Sequence, residues 1–329
     1  MARFTYGGQA LMEGVLMRGR DAIAVALRHP DGHIVTATER LDSVLHRNRF
    51  ARAPLFRGLI VLYETLVIGT RWLMRSGAVA AAGEGVEMGR GAIAVTLALT
   101  FGFAIGLFVL LPLFLAQVTT QAALGPDQAL LQHLFEGLIR VGLFVAYLAV
   151  VSQAGDIRRV FQYHGAEHMT IHALEHEDPL TIQNARRYPT AHPRCGTEFL
   201  VVFVIVSILV FSLLAGQSLL VSVVGRIALI PVIASLSYEL LRFGARHRSN
   251  PLIKWLFMPG IWLQGITTKQ PDDSMIEVAI ASMREALTIN EELAPAGSLD
   301  PPRRPLADDA AGDATAATLP VPGSNLSER

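Results

Sequence analysis

The sequence predicts a mainly α-helical polytopic membrane protein, with about four transmembrane helices in two hairpins, further interfacial helices and a small β-rich N-terminal cytoplasmic segment. Three observations predict this class. Only 17% of the 329 residues are charged, against ~25% in soluble globular proteins. Hydrophobic residues make up 51% of the chain. They are gathered into runs too long for soluble core helices, which excludes an ordinary soluble enzyme.

The N-terminal segment, residues 1–50, is predicted to be β-rich. Residues 22–28 and 33–38 are short β-type runs, and the His29-Pro30-Asp31-Gly32 sequence between them is typical of a hairpin turn. The preceding stretch, YGGQALMEGVLMRGR, is rich in glycine. Its spacing matches neither a phosphate-binding loop nor a dinucleotide fingerprint and favours structural turns.

Residues 51–90 are predicted to form an amphipathic, interfacial helical segment. Arg57, Glu64 and Arg71 are spaced seven apart within the apolar stretch 55–74, so they form one narrow polar stripe on a helix. Such a helix is expected to lie on the membrane or pack against other spans rather than cross lipid alone.

The first transmembrane hairpin is predicted at residues 91–153. Residues 91–118 are uncharged, which is more than the ~20 residues needed to cross a bilayer, and Pro112 is expected to kink this helix. The second helix, residues 134–153, carries Glu136 and Arg140 near its start, where an i, i+4 pair can form at the interface.

The second hairpin is predicted at residues 199–242. Residues 199–224 are uncharged, and a shorter run, residues 226–242, contains Pro231. The expected connection between the two helices lies near residues 216–226.

The loop charges predict the orientation. Residues 119–133 and 216–225 contain no Lys or Arg, whereas residues 154–198 contain five arginines. The positive-inside rule places both termini and the 154–198 loop in the cytoplasm of a multi-pass bacterial inner-membrane protein. The lipid bilayer is thus one partner. Because Lys+Arg and Asp+Glu both number 28, the global charge gives no reason to expect nucleic acid.

The C-terminal part, residues 243–290, is predicted as an interfacial segment followed by an amphipathic helix. Residues 252–266 are short and are interrupted by Pro259-Gly260, so a full span is not expected there. Residues 272–287 have the period of a capped amphipathic helix. The tail, residues 291–329, is rich in Ala, Pro, Asp and Gly and is expected to be disordered.

The chemistry is predicted to lie in the cytoplasmic loop, residues 154–198. Asp156 is expected to cap a helix of about five turns that Pro179 ends. On that helix, His164, His168 and Glu175 fall within roughly 20° of Ile157 at the helical period. The histidines therefore continue the apolar stripe that faces inward.

His164 and His168, with Glu167 beside them, form an H-x-x-E-H pattern. In the inverzincin version of this pattern, the histidines bind zinc and the glutamate is the general base. The alternative is a surface helix rich in His and Glu, because His172 and His176 extend the same series.

A second cluster favours the metal interpretation. His192 and Cys195 lie in a loop with proline and glycine, at the H-x-x-C spacing of metal ligands. Together with the helical pair, they could complete a tetrahedral shell, or three ligands could leave one position open for catalysis. Two alternatives remain for Cys195: a small buried side chain, or a reactive thiol activated by Arg194.

Five stretches resemble the YqhQ-like bacterial membrane proteins, a domain of unknown function labelled a predicted metal-dependent enzyme. They are YGGQALMEGVLMRG, YHGAEHMTIHALE, NARRYPTAHPRCGT, SYELLR and ITTKQPDDSMIEVAIASM. The resemblance covers roughly residues 5–288. It implies that the N-terminal glycines and Glu13 belong to the same site as the histidines. Such proteins usually have a lysine where this chain has Met169, so no catalytic lysine is expected there.

Three functional hypotheses follow. The first is a cytoplasmic-facing metal-dependent enzyme, most simply a hydrolase acting on an unknown substrate. Its catalytic residue is Glu167, its metal is a divalent ion, most simply zinc, and its ligands come from His164, His168, His192 and Cys195. The accessory candidates are His172, Glu175, Glu13 and Arg194. The second is a non-enzymatic scaffold or assembly protein that uses the same residues as a structural metal site or polar network. The third, a transporter, is favoured least, because the uncharged spans carry no ionisable residue.

Overall fold

The computed structural model describes residues 6–41, 53–81, 90–124, 129–193, 195–214, 217–247, 250–292 and 317–318. The strands are β1 Gly7–Leu11, β2 Gly14–Arg18, β3 Ala22–Arg28, β4 Ile34–Arg40 and the two-residue β5 Ala317–Thr318. The helices are α1 Phe56–Ala80, α2 Arg90–Ile105, a π-helical turn Gly106–Leu110, α3 Leu111–Leu124, α4 Ala129–Val151, α5 Gly155–Glu175, α6 Ile182–Ala185, α7 Thr197–Ser212, α8 Leu219–Arg246, α9 Pro251–Thr267 and α10 Asp273–Glu292.

The N-terminal segment forms an antiparallel sheet in the order β1-β2-β3-β4, and β5 pairs parallel with β4. This confirms the small β-rich segment predicted from the sequence. The glycine-rich stretch differs from the expectation, since it forms the hairpin of β1 and β2 rather than a series of turns. Its turn is tight, with Glu13 at a φ of 53°.

The C-terminal tail can be compared with its prediction at only a few positions. Within residues 291–329, the structure describes only residues 291–292, which end α10, and Ala317–Thr318, which pair with β4. The rest of the predicted disordered segment lies outside the described residues.

The sheet is the middle of three layers. One face packs against α5 and α10 in a cluster that includes Val15 and Met17 of β2 and Met275 and Met283 of α10. The other face, which includes Leu16 and Ile23, packs against Trp72 of α1 and its neighbours. Because successive side chains of a strand point to opposite faces of the sheet, both faces are buried.

The polar stripe of α1 faces other parts of the chain. Arg57 Nε donates to Glu239 of α8 at 2.7 Å, and Glu64 lies 3.5 Å from Arg18 of β2. Arg71 pairs with Glu39 of β4. The stripe therefore connects α1 to both α8 and the sheet.

Within the described residues, two helical stretches are long and apolar enough to cross a membrane, Ala94–Thr119 and Leu220–Arg246. A third candidate is the pair Phe135–Val151 and Gly155–Glu175, which is bent by 99°. The helix Thr197–Ser212 is apolar but shorter. The structure thus supports a mainly helical protein with two to three candidate spans.

The predicted boundary inside the second hairpin is wrong. The uncharged run 199–224 is divided between α7, which ends at Ser212, and α8, which begins at Leu219. The Ser218 hydroxyl caps α8 by accepting from the Val221 backbone N–H at 3.4 Å. Arg226 therefore lies two turns inside α8 rather than at its start, and α8 continues through Pro231 to Arg246.

Pro112 explains the π-helical turn that precedes it. Proline has no N–H, so the carbonyl of Phe108, four residues earlier, cannot receive its usual helical hydrogen bond. That carbonyl accepts from Arg140 Nε of α4 at 2.9 Å. The predicted irregularity at Pro112 is thus linked to a side chain of the neighbouring helix.

The Glu136–Arg140 pair is buried rather than placed at a solvent-exposed interface. Arg226 of α8 joins it, donating through Nη2 to Glu136 at 2.8 Å, and Arg140 contacts the same carboxylate. All three are at most 4% exposed. One carboxylate therefore stabilises two cations among α4, α7 and α8, and both guanidinium groups also lie over the Phe211 ring.

Helix α5 follows α4 after a bend of 99° and carries the predicted site. Its N-cap is Ala154, without a side-chain hydrogen bond, and Asp156 lies in the first turn, so the predicted cap at Asp156 is wrong. The helix ends at Glu175, before Glu177, which has a φ of 63°, and before Pro179 as predicted.

Candidate metal centre

The inward face of α5 carries the two histidines of the H-x-x-E-H pattern. His164 and His168 lie one turn apart, with ring centroids separated by 4.4 Å. His168 is only 2% exposed. The close approach of residues 267–269 to α5 depends on Gly165, where a Cβ would lie 2.2 Å from the carbonyl oxygen of Lys269.

Backbone carbonyls orient both imidazole rings. His164 Nδ1 lies 2.8 Å from the carbonyl oxygen of Thr267, and His168 Nδ1 lies 2.6 Å from that of Thr190. A carbonyl only accepts, so Nδ1 of each ring donates and Nε2 keeps its lone pair. Metal-binding histidines typically have this arrangement, because the second hydrogen bond fixes the tautomer and makes the ligand nitrogen more basic.

Cys195 lies opposite the two rings. Its Sγ is 3.2 Å from His164 Nε2 and 3.1 Å from the hydroxyl of Thr197, and the Thr197 backbone N–H donates to it at 3.4 Å. One ligand atom each from His164, His168 and Cys195 lies within 4.8 Å of the other two. Within the described ranges, no fourth His, Cys, Asp or Glu side chain joins this group.

Burial sets the protonation of these groups. It lowers the pKa of His168 to about 2. It also raises the pKa of the Cys195 thiol, while its hydrogen bonds with Thr197 act the other way. The imidazole of His168 is therefore neutral at physiological pH, as a metal ligand must be.

Glu167 lies in the same cavity but outside the group of three. The cavity has a volume of about 110 Å³, and Gly8, His164, Glu167, His168 and Cys195 are among its lining residues. Burial raises the pKa of Glu167 to about 8, and a hydrogen bond from the Gly8 backbone acts in the opposite direction. Among the described residues, Glu167 Oε2 is buried and has no hydrogen-bond partner. A buried carboxylate oxygen without a partner is costly unless a ligand supplies one.

His192, the fourth predicted ligand, is near the group but is not part of it. Its ring centroid is 5.6 Å from that of His168, and its Nε2 lies 3.2 Å from Glu175 Oε2. Its backbone exchanges two hydrogen bonds with the buried amide of Gln264 on α9, at 2.8 and 3.0 Å. The structure therefore brings three of the four predicted ligands together and places His192 with Glu175 beside them.

The other accessory candidates have separate positions. His172 Nε2 lies 2.9 Å from the carbonyl oxygen of Ala191, one helical turn beyond His168. Glu13 accepts two hydrogen bonds from Arg159 of α5, both at 2.6 Å, and one from the Tyr163 hydroxyl at 3.3 Å. Glu13 thus connects the β1–β2 turn to α5, and Arg194 lies outside the described residues. Met169 is fully buried in the apolar cluster beneath the sheet.

Sequence reasoning missed several residues that position this centre. They are Thr190, Thr197, Gln264 and Thr267. The family resemblance already implies that the N-terminal glycines belong to the site, and Gly8 does lie against Glu167. For two of the missed residues, the sequence contains a signal that could have been used: Thr197 follows Cys195 by two residues, and Gln264 is a lone amide in an apolar helix. Thr190 and Thr267 contribute backbone carbonyls, which leave no signal in side-chain identity.

These features define a class of protein: a mainly helical chain with two to three candidate membrane spans and a His-His-Cys cluster, half-buried at His164 and buried at His168 and Cys195, beside a small sheet. Residues 53–289 match the family described as "Protein of unknown function (DUF1385)", and the chain belongs to that family.

A relative in Bacillus subtilis (strain 168), "Uncharacterized protein YqhQ", is 34% identical over 298 residues, covering 86% of this chain and 92% of the relative. These matches confirm the resemblance to the YqhQ-like proteins. No solved structure matches the chain.

Proposed function

We propose that this protein is a metal-dependent hydrolase of the bacterial cytoplasmic membrane, with His164, His168 and Cys195 as ligands and Glu167 as the general base. The observation that carries the proposal is the convergence of the three ligand atoms within 4.8 Å, with both histidines oriented by backbone carbonyls.

The donor set fits zinc. Two imidazoles and one thiolate are ligands that zinc prefers, and a three-ligand protein site with an open position is the usual arrangement in catalytic zinc centres. The hydrogen bonds from Thr197 to Cys195 Sγ would stabilise a thiolate. When bound, the ion would supply Lewis-acid chemistry that activates water for hydrolysis.

The residues of the chain supply the remaining chemistry. A cation held by His164, His168 and Cys195 would favour the ionised form of Glu167, whose pKa burial raises to about 8. The Glu167 carboxylate then accepts a proton from the attacking water, whose oxygen forms a bond to an acyl or phosphoryl centre. As the scissile bond breaks, Glu167 returns that proton to the leaving group, so one water is consumed and the base is regenerated. The Gly8 backbone, which donates to Glu167, positions the carboxylate for both transfers.

We further propose four crossings of the inner membrane, by α2–α3, α4, α7 and α8, with the metal centre and both termini on the cytoplasmic side. Arg158, Arg159, Arg186 and Arg187 on the side of the site support this orientation. Reporter fusions at residues 125–128 and at the C-terminus test it. Alkaline phosphatase should be active only in the first fusion; activity in the C-terminal fusion would reverse the orientation.

Metal analysis tests the ligand assignment. Protein purified in detergent without chelator should contain about one equivalent of zinc, and the His164→Ala, His168→Ala double variant should contain none. The matched control is His172→Ala, one turn further along α5, which should retain the metal. Wild-type protein without metal, or metal retained in the double variant, contradicts the assignment.

Cobalt substitution tests whether the site is catalytic or structural. A thiolate ligand should give a sulfur-to-cobalt charge-transfer band that Cys195→Ser removes. If one position is open, acetohydroxamate should change the ligand-field spectrum of the cobalt protein, and Glu167→Gln should still bind both metal and hydroxamate. A spectrum that does not respond to hydroxamate would instead support the closed structural site of a scaffold or assembly protein.

A further inference from the structure

A second cavity lies on the other face of the sheet. Its volume is about 290 Å³, close to the ~300 Å³ lower end for small-molecule sites. It is bounded by β1, β2, β3 and α1, and its lining includes Leu16, Ile23, Ile68 and Gly69, with Gln9, Arg18 and Thr65 as polar members. Most of its surface is apolar, and Arg18, which pairs with Glu64, places a cation at its edge.

This cavity and the metal cavity share two residues, Gly7 and Gly8 of β1. Successive residues of a strand face opposite sides of the sheet. A Cβ at Gly8 would point toward Glu167, at 2.8 Å from its Cδ, whereas Gly7 shares its face with Leu11, which packs with Trp72 of α1. β1 is also the edge strand of the sheet. The two cavities therefore meet at the Gly7-Gly8 end of this strand, where the chain carries no side chains.

Helix α1 relates the second cavity to the membrane. Its first turns pack against α8, where Gly58 lies against Tyr238, and α8 is a candidate span. Large apolar side chains on its outer surface are exposed, including Phe56 at 66% and Leu66 at 56%. Exposed apolar surface of this kind is typical of contact with lipid. Thr65, Ile68 and Gly69 of the same helix line the cavity, so the cavity opens beside the predicted bilayer surface.

We propose that this cavity holds the alkyl chain of a bilayer amphiphile that is the substrate of the metal centre. The role of this amphiphile as substrate rests on the proposed function. Binding of the alkyl chain in the cavity can be tested in protein without metal. The alkyl chain lies among Leu16, Ile23 and Ile68, and the scissile group crosses the sheet edge at Gly7 and Gly8 to reach Glu167. Arg18, which donates to Thr65 and faces Glu64, stands at the polar end of the cavity.

Photo-crosslinking in vesicles tests this assignment. The protein is reconstituted in phosphatidylethanolamine and phosphatidylglycerol with palmitic acid that carries a terminal diazirine, and the adducts are mapped by mass spectrometry. Leu16 and Ile23 are at most 4% exposed, so adducts there report occupancy of the cavity, whereas adducts at Leu66 report the surrounding bilayer. We expect adducts at both places, and we expect unlabelled palmitate to reduce only those in the cavity.

The matched variant is Gly7→Val. A Cβ at Gly7 meets no atom within 4 Å, and Gly7 does not have a positive φ, so valine is compatible with the strand while it occupies the cavity. Adducts at Leu16 and Ile23 should be lost and those at Leu66 retained. The proposal is overturned if wild-type adducts occur only on the outer surface of α1, or if cavity adducts do not respond to unlabelled palmitate.

The His164→Ala, His168→Ala variant separates the two proposals. Cavity adducts that persist in this variant show that the chain site is independent of the metal. If the wild-type protein contains no metal but shows saturable cavity adducts, the hydrolase proposal fails and binding of the alkyl chain remains.

Discussion

Gly8 of β1 lies against the carboxylate of Glu167 on α5. A Cβ added at Gly8 would be 2.8 Å from Glu167 Cδ and 2.6 Å from the carbonyl oxygen of Leu16. Both distances are shorter than real Cβ contacts, so the strand and the helix approach this closely only because residue 8 is glycine. The sheet therefore forms one wall of the metal centre.

The first prediction concerns this contact. Gly8→Ala should lower the free energy of unfolding by about 1–3 kcal/mol, because the added methyl overpacks the site. Thermal unfolding in detergent measures the change. Gly7→Ala is the matched control, with open space around its Cβ, and should change stability by less than ~0.5 kcal/mol. Equal effects of the two substitutions would show that the contact with Glu167 is not tight.

The second prediction concerns the buried ions. Glu136→Gln removes the carboxylate between Arg140 and Arg226 and leaves two buried cations, which should cost about 3–5 kcal/mol of unfolding free energy. The control is Asp273→Asn, which breaks an ion pair with Arg186 whose side chains are 50% and 58% exposed. Its effect should stay below ~1 kcal/mol. Comparable losses in the two variants would contradict a buried role for Glu136.

Much of the fold could be predicted from the sequence where one physical rule dominates. Uncharged runs predicted the helices near residues 91–118, and two short β-type runs separated by a Pro-Asp-Gly turn predicted β3 and β4. The boundary between α7 and α8 was misplaced because hydropathy does not change there. A hydroxyl cap at Ser218 begins the helix, whereas Arg226, which looks like a boundary in sequence, is paired with Glu136 from another helix.

The candidate metal site could also be predicted only in part from the sequence. The i, i+4 spacing was enough to place His164 and His168 on one face, and H-x-x-C was enough to nominate Cys195. Spacing could not separate His192 from the group, because its direction depends on Glu175 and on Gln264, which is 72 residues away. It also could not show that Gly8 touches Glu167, a contact between residues far apart in sequence.

The third prediction concerns Asn290, which attaches the end of α10 to the sheet. Its Oδ1 accepts from the backbone N–H groups of Asp21 and Ala22, at 2.8 and 3.1 Å. Asn290→Ala leaves these donors without their partner and should cost about 1–3 kcal/mol. Hydrogen exchange should accelerate at Asp21 and Ala22, while Thr288→Ala, which removes an exposed hydroxyl on the same helix, should have little effect. Unchanged protection in Asn290→Ala would contradict this role.

The fourth prediction concerns Thr197, whose hydroxyl and backbone N–H both lie near Cys195 Sγ. If Cys195 is a thiolate ligand, Thr197→Val removes one hydrogen bond to it and should weaken zinc affinity by ~10–100-fold, as for other residues that orient metal ligands. Competition with a chromogenic chelator measures the affinity. Thr170→Val is the control, because that buried hydroxyl donates to Ala166 within α5 and does not contact the ligands. Both variants lose one buried hydroxyl, so we expect a comparable loss of stability. If zinc affinity falls only in Thr197→Val, the weaker binding is due to the lost hydrogen bond to the Cys195 sulfur. Equal affinities would mean that Thr197 supports the loop and not the metal.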